Sequence, residues 1–209
     1  VAYGALTLAI FQTGKVPGTA WLLLLMAVLA AAMDIRLTWQ HTRNAPKALK
    51  AGAFTLLVPV VMAVLAIWAA PRQLPLFVQA LLTVGVVTAF GPLVYRLAYQ
   101  SLADASSLTL LIVSVGVHFA MTGLGLLFFG AEGFRNPSFW DARFNLGPVA
   151  VTGQAVIIVG VSLALIGLLW QFFEHTLYGK ALRATAVNRL GARLMGISSH
   201  AAGQSTFAM

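Results

Sequence analysis

Five long runs of apolar residues constrain the fold of this chain more than any other feature of its sequence. A helix of about 20 apolar residues crosses the roughly 30 Å hydrocarbon core of a membrane. Short polar connections separate the runs, which cover residues 19–39, 49–70, 74–99, 108–129 and 154–173. Shorter apolar stretches at residues 3–13 and after residue 200 indicate partial spans. The sequence therefore predicts an all-α polytopic membrane protein: a bundle of about five full transmembrane helices with partial spans at both ends.

The composition supports this fold class and limits the chemistry. Hydrophobic residues make up 60% of the chain and charged residues only 9%, whereas about one quarter of the residues in a soluble domain are charged. The chain has no cysteine, so it has no disulfide framework, thiolate metal site or cysteine nucleophile. We expect neither a metal nor a cofactor. We interpret residues 1–209 as a single transmembrane domain, an internal fragment of a longer protein.

The basic residues indicate the orientation of the chain in the membrane. One set of alternate connections holds nine of them: Arg36, Arg43, Lys47, Lys50, Arg96, Lys180, Arg183, Arg189 and Arg193. The other set holds Lys15, Arg72, Arg135 and Arg143. Lys and Arg accumulate in cytoplasmic connections, so the first set is predicted to be cytoplasmic. The formal net charge of +8 is therefore mainly a topology signal, and we expect no nucleic-acid partner.

Residues 178–197, YGKALRATAVNRLGARLMGI, form the longest basic segment that favours helix. Asn188 is typical of a helix N-cap, and Gly196 is typical of a left-handed residue that ends a helix. The segment is therefore predicted to form two short helices. One face of the second helix would carry Leu190, Leu194 and Ile197, and another Arg189 and Arg193. Such a unit could dock into a partner's groove or lie on anionic lipid.

Candidate residues for a translocation path lie within two of the spans. His118 is near the middle of its span, where an ionisable side chain is costly; it is either functional or a neutral imidazole bonded to a neighbouring helix. Stripes of small residues contain Gly116 in the same span and Gly160 in the last one. Small residues allow close helix packing, or they leave room for a solute. Asp34, at a predicted cytoplasmic span end, is explained by interfacial solvation.

Several enzyme classes lack their motifs in this sequence. It contains no His-Glu-x-x-His zinc site and no Gly-x-Ser-x-Gly nucleophile elbow. No pair of carboxylates lies within the spans for acid–base chemistry. A Gly-x-x-x-x-Gly-Lys-Ser/Thr loop for nucleotide phosphates is also absent. We therefore expect a transporter subunit, with any ATP hydrolysis on a separate chain.

The basic segment also resembles a known family. Residues 178–184, Asn188 and residues 192–197 are similar to the cytoplasmic coupling segment of bacterial ABC-importer permeases. The resemblance is to the branched-chain amino acid (Liv, HAAT) type, H-type subunit, and it extends to residues 3–5, 94–96 and 111–116. Two positions depart from the pattern of the family. Leu190-Gly191 replaces Glu-Ala, and Leu97-Ala98-Tyr99 replaces Pro-Leu-Arg.

The resemblance implies a multi-pass permease subunit in a bacterial inner membrane. Its implied partners are a second permease subunit, ATP-binding cassette subunits and a periplasmic substrate-binding protein that delivers a branched-chain or related amino acid. The residues implied in ATPase coupling are Gly179, Arg183, Asn188, Arg189, Leu190, Ala192, Arg193, Leu194, Gly196 and Ile197. The leucines and the isoleucine would fill the groove of the ATPase or fix the helix to the bundle, and the arginines would contact the rim.

A second hypothesis comes from a different class of transporter. A self-contained secondary transporter would use His118 as an intramembrane proton or ion relay, with no need of an ATPase. The connection at residues 131–148 is rich in aromatic and charged residues and is a candidate docking site for a binding protein. The sequence does not identify the solute.

Overall fold

The computed structural model describes residues 2–42, 45–72, 74–102, 105–131, 133–134, 136, 138–146 and 149–209. Five of its helices are long and apolar enough to cross a membrane: Gly18–Gln40, Gly52–Arg72, Leu76–Leu102, Leu108–Phe129 and Gly153–His175. Each predicted span agrees with one of these helices to within three residues at either end. The chain is therefore an all-α polytopic membrane protein, as predicted.

The described elements follow one another along the chain as helices with one short hairpin. The helices are α1 (Ala2–Gln12), α2 (Gly18–Thr42), α3 (Ala45–Ala69), α4 (Leu76–Val94), α5 (Ser107–Phe129), α6 (Gly153–His175), α7 (Leu177–Val187), α8 (Arg189–Leu194) and α9 (Ser199–Ala208). Strand β1 (Arg143–Leu146) pairs antiparallel with β2 (Val149–Thr152). The sequence analysis did not predict this hairpin. Two charged residues of that analysis, Arg43 and Arg135, lie outside the described residues.

The chain divides into two compact units. The first contains Val1–Arg135 and Gly203–Met209, and the second contains Asn136–Ala202. The first unit therefore holds α1 to α5 and the last residues of α9. The second unit holds the hairpin, α6, α7, α8 and the start of α9. A single permease domain stays a prediction.

Small residues let the helices of the first unit approach closely. Fully buried alanines lie on both α2 and α3, among them Ala20, Ala27, Ala63 and Ala66. Small side chains allow close backbone approach between membrane helices, where dispersion contacts replace hydrophobic driving force. The α2 helix consequently packs extensively on α3, and both also contact α4.

Helix α1, with 11 residues, packs within the first unit. Its Thr7 hydroxyl donates a hydrogen bond to the Thr19 hydroxyl of α2 at 2.9 Å, with both residues buried. The Tyr3 hydroxyl donates to the carbonyl oxygen of Met121 in α5 at 2.5 Å. These bonds satisfy polar groups that would be costly in hydrocarbon, so α1 links the start of α2 to α5.

The end of α4 departs from regular α-helix. The helix passes through Pro92 and continues as a π-helical turn, Tyr95–Tyr99, called the π segment below. The sequence predicted a kink at Gly91-Pro92. The described irregularity lies three residues later, where the Tyr95 N–H is shared between the carbonyl oxygens of Gly91 and Pro92. A bend at the proline itself stays a prediction.

Candidate functional site

The basic segment forms two short helices that meet at Asn188, as predicted. Helix α7 ends at Val187 and α8 begins at Arg189. Asn188 has extended backbone angles, φ −143° and ψ 95°. Its side-chain oxygen accepts a hydrogen bond from the Gly191 N–H at 2.9 Å. This is the N-cap bond that satisfies one of the unpaired amides at a helix start.

The end of α8 is fixed by two backbone hydrogen bonds around Gly196. The Ile197 N–H donates to the carbonyl oxygen of Ala192 at 3.0 Å, and the Gly196 N–H donates to that of Arg193 at 3.0 Å. Together they form a Schellman motif. Gly196 has φ +82°, a left-handed conformation that side chains with a Cβ rarely adopt. The predicted left-handed end of the helix is confirmed.

Helix α7 lies against the end of α6 through a glycine. A Cβ placed on Gly179 would lie 2.7 Å from the Cα of Phe173 and closer still to the carbonyl oxygen of Phe172. The Gly179 N–H donates to the Thr176 hydroxyl at 3.0 Å, which caps α7. Leu182, one turn later, is also buried. The sequence analysis missed Thr176, although threonine before a helical run is a recognised N-cap signal.

Helix α8 presents an exposed apolar face. Leu190 and Leu194 are 71% and 81% exposed, whereas Ala192 between them is 5% exposed. Val187, just before α8, and Met195, just after it, are also strongly exposed. We call Val187, Leu190, Leu194 and Met195 the apolar face. Clustered exposed aliphatic side chains outside the membrane spans indicate contact with a partner or with lipid.

Ile197 departs from the face on which the sequence analysis placed it. It lines a small cavity of about 150 Å³ with Tyr178, Ala181, Leu182, Ser198, Ala201 and Ala202. The helix stops at Leu194, and the left-handed Gly196 redirects the chain before Ile197. Ile197 therefore packs against α7, while Leu190 and Leu194 stay exposed.

The basic residues of the segment have different surroundings. An Arg183 Nη1 atom donates to an Oε2 atom of Glu174 at 2.8 Å, and the side chains are 58% and 52% exposed. Ion pairs with this exposure contribute about 0–1 kcal/mol. Arg189 and Arg193 are exposed on α8 itself. The surface of α8 therefore combines apolar side chains with positive charge.

The three candidates for a translocation path are all exposed or open in the described chain. A Cβ on Gly116 or on Gly160 would meet no atom within 4 Å. The His118 ring contacts Phe119 edge-on, at a centroid distance of 5.8 Å, and no hydrogen bond to the ring is seen within the described part of the chain. Two residues along an α-helix turn about 200°, so Gly116 and His118 project from opposite sides of α5.

Asp34 has partners in the structure that the sequence analysis did not foresee. Its carboxylate accepts hydrogen bonds from Nη1 of Arg96 and from the Thr55 hydroxyl, and the same Nη1 also donates to the Thr55 oxygen. We call these three residues the polar cluster. They come from α2, α3 and the π segment. The explanation of Asp34 by interfacial solvation is therefore wrong, because its carboxylate is paired.

The sequence does contain a signal for the contact between Asp34 and Arg96: the two opposite charges lie at the same predicted level of the membrane. Asp34 lies near the end of the second apolar run counted from residue 3, Thr55 near the start of the next, and Arg96 near the end of the one after. Alternating helices place these positions at the same side of a membrane. Intramembrane charges commonly pair with one another, so the level of each residue in its span would have predicted the contact.

Comparisons with protein-family models, with curated proteins and with solved structures gave no match to this chain. Within the residues that the structure describes, no three His, Asp or Glu side chains come together as a metal site requires. Any functional assignment therefore depends on the residues themselves and on their geometry.

Removal of the Asn188 cap is expected to loosen α8 without unfolding the protein. An Asn188→Ala substitution should cost about 1 kcal/mol of local stability, because the Gly191 amide loses its acceptor. Hydrogen exchange of the amides at residues 190–192 should speed up about fivefold. Asn188→Ser, which retains a capping oxygen, should exchange at nearly the original rate. Equal protection in both variants would show that the cap does not hold α8.

Proposed function

We propose that this chain is a membrane-spanning permease subunit of an ATP-driven importer for branched-chain or related amino acids, in a bacterial inner membrane. A second permease subunit, ATP-binding cassette subunits and a periplasmic binding protein complete the proposed assembly. ATP is hydrolysed on the ATP-binding subunits, because this sequence contains no phosphate-binding loop of the Gly-x-x-x-x-Gly-Lys-Ser/Thr type.

The observation that carries the proposal is the rigid, exposed α8 helix. Its start is capped by Asn188 and its end by Gly196, so its short length does not leave it frayed. Its apolar face is exposed, with Leu190 and Leu194 both above 70%. A capped helix with exposed leucines outside the spans is well suited to insertion into a groove of another protein.

The sequence of α8 favours a groove of particular chemistry. Residues 177–194 contain Lys180, Arg183, Arg189 and Arg193 and no acidic residue. At the position where the resembling family has Glu, this chain has the exposed Leu190. We therefore propose an apolar groove with an acidic rim on the ATP-binding subunit. Leu190 and Leu194 fill the groove, and the arginines meet the rim.

The proposed mechanism is mechanical. Closure of the ATP-binding subunits on ATP displaces the groove, and α8 moves with it. The close contact at Gly179 passes the displacement from α7 to the end of α6. Such a rigid-body motion shifts the equilibrium between inward-open and outward-open forms of the spans.

The test is a double substitution on the apolar face. Intact protein carrying Leu190→Glu and Leu194→Glu is purified by an affinity tag from membranes of its native host. We expect the double variant to co-purify with at least tenfold less ATP hydrolysis activity than the unchanged protein does. The reason is that two charges buried in the groove without partners cost several kcal/mol of binding free energy. ATP-dependent uptake of labelled leucine into reconstituted vesicles should fall in parallel.

Leu49→Glu is the matched control for this experiment. Leu49 is a leucine of similar exposure, 63%, in the first turns of α3 and just before the membrane-spanning part of that helix, Gly52–Arg72. Its substitution should leave the co-purified activity unchanged. If no ATP hydrolysis accompanies the unchanged protein, the permease proposal is wrong. If the double variant retains the activity, the apolar face is not the docking surface.

A further inference from the structure

The π segment contacts more neighbouring elements than its five residues would suggest. Arg96 joins it to α2 and α3 through the polar cluster. The Tyr99 hydroxyl donates to the Ser114 hydroxyl of α5 at 3.0 Å. Tyr95 is buried. A π-helical turn is rare and energetically poorer than α-helix, and such turns are frequent at functional sites. Its surroundings therefore hold this segment in an unusual conformation.

The last turns of α9 also contact this segment. The Phe207 ring lies 5.4 Å from the Tyr95 ring and 5.0 Å from the Tyr99 ring, measured between centroids. A Cβ on Gly203 would lie 2.5 Å from the Tyr95 ring, and a Cβ on Gly91 would overlap the carbonyl oxygen of Phe207. Two glycines thus allow an approach that any larger residue would prevent.

Helix α9, which contacts the π segment, follows α7 and α8 directly along the chain. Helix α8 ends at Leu194 and α9 begins at Ser199, so four residues separate them. The connection starts with the Schellman motif at Gly196 and continues through Ile197, which packs in the cavity below α7. Only this short connection therefore separates α8 from the helix whose last turns contact the π segment.

We propose that the π segment receives the motion of α8 through α9, and that the polar cluster anchors it to α2 and α3. This inference rests on the proposed function, since it concerns how docking is converted into movement of the spans. It assigns positioning roles to Gly203, Phe207 and Arg96, none of which lies in the docking helix. Tight aromatic and glycine packing transmits displacement because packed contacts are nearly incompressible.

The polar cluster suits the anchoring role. The side chains of Arg96 and Asp34 are 24% and 18% exposed, so water screens the pair only weakly. The Thr55 hydroxyl bonds to both members of the pair: it donates to the Asp34 carboxylate and accepts from Nη1 of Arg96. Charged pairs of this kind contribute more to fixing one arrangement than to net stability. A displacement of Tyr95 and Tyr99 by α9 would therefore displace α2 and α3 as well, because the polar cluster bonds the π segment to both helices.

The first test is a Gly203→Val substitution in the assembled complex. Valine would separate α9 from Tyr95 without touching α8. We expect the ATP-binding subunits to remain bound and ATP hydrolysis to continue. The amount of labelled leucine transported per ATP should fall about tenfold. Thr206→Val places the same valine side chain at an exposed position of α9 and should leave this ratio unchanged. Arg96→Gln should behave as Gly203→Val does, and Arg96→Lys should recover part of the ratio.

A second measurement joins α9 to the π segment by a covalent link. Residues 1–209 contain no cysteine, so Tyr95→Cys with Phe207→Cys allows a short bis-thiol reagent to join α9 to the π segment. The two cysteines remove the ring contact between Phe207 and Tyr95, so the unjoined variant should lose transport per ATP as Gly203→Val does. Joining α9 to the π segment should then restore the ratio.

Two results would overturn the inference: an unchanged transport ratio in Gly203→Val, or loss of the bound ATP-binding subunits in that variant. A transport ratio that stays low after complete cross-linking, while hydrolysis continues, would also overturn it. Absence of ATP-dependent uptake in the unchanged protein would instead contradict the proposed function. The cross-linking yield in membranes without ATP would still report on the contact itself.

Discussion

Replacement of Gly179 by valine is expected to detach α7 from the end of α6 and, under the proposed function, to abolish ATP-dependent uptake. The clash is with backbone atoms of Phe172 and Phe173, so no side-chain rotation relieves it. Overpacking of this kind costs about 1–3 kcal/mol. Valine keeps the backbone N–H that donates to the Thr176 hydroxyl, but displacement of residue 179 from the end of α6 would lengthen and weaken that cap bond as well. We therefore expect local unfolding of α7 and not a small shift of one side chain.

Limited trypsin digestion of the detergent-solubilised intact protein measures this effect. Trypsin cuts after Lys180 and Arg183, which lie in the middle of α7. A loss of about 2 kcal/mol raises the population of the open helix about 30-fold, and cleavage at these sites should accelerate accordingly. Ala184→Val introduces the same side chain at an exposed position of α7 and should cleave at the original rate. Equal rates for the two variants would show that the Gly179 contact does not hold α7.

The spans could be predicted from the sequence because a bilayer permits few alternatives. Long apolar runs must form helices that satisfy their own backbone groups, so the run lengths predicted the span boundaries closely. The capped ends of α8 were predictable for a similar reason. Asn188 and Gly196 act through bonds within a few residues of themselves, and such local chemistry can be read from a short stretch of sequence.

Contacts between distant residues were harder to predict. Asp34, Thr55 and Arg96 are separated by many residues, and each alone is ordinary at a span end. The direction of Ile197 was also missed, because the helical period places it with Leu190 and Leu194 only if the helix continues. The left-handed Gly196 ends that period. The residue at which a helix ends must therefore be identified before later residues are assigned to a face of that helix.

Substitutions in the polar cluster are expected to show a large non-additive effect on stability. Asp34→Leu should leave Arg96 without its carboxylate, and Arg96→Met should leave Asp34 without its cation. Breaking a buried ion pair costs about 3–5 kcal/mol. The side chains here keep 24% and 18% of their exposure, so we expect about 2 kcal/mol for either single substitution. Thermal unfolding followed by tryptophan fluorescence in detergent measures the loss.

The double variant, Asp34→Leu with Arg96→Met, should be more stable than either single variant, because it leaves no charge unpaired. Replacing both partners of a buried pair by apolar residues is often neutral. The coupling between the two sites should therefore exceed about 2 kcal/mol, and it reaches about 4 kcal/mol if the double variant is neutral. The Glu174–Arg183 pair is the matched control, since its side chains are 52% and 58% exposed. Glu174→Leu with Arg183→Met should show coupling of about 0.5 kcal/mol or less. If both pairs show the same small coupling, the polar cluster is a solvated surface pair, and it cannot anchor the π segment.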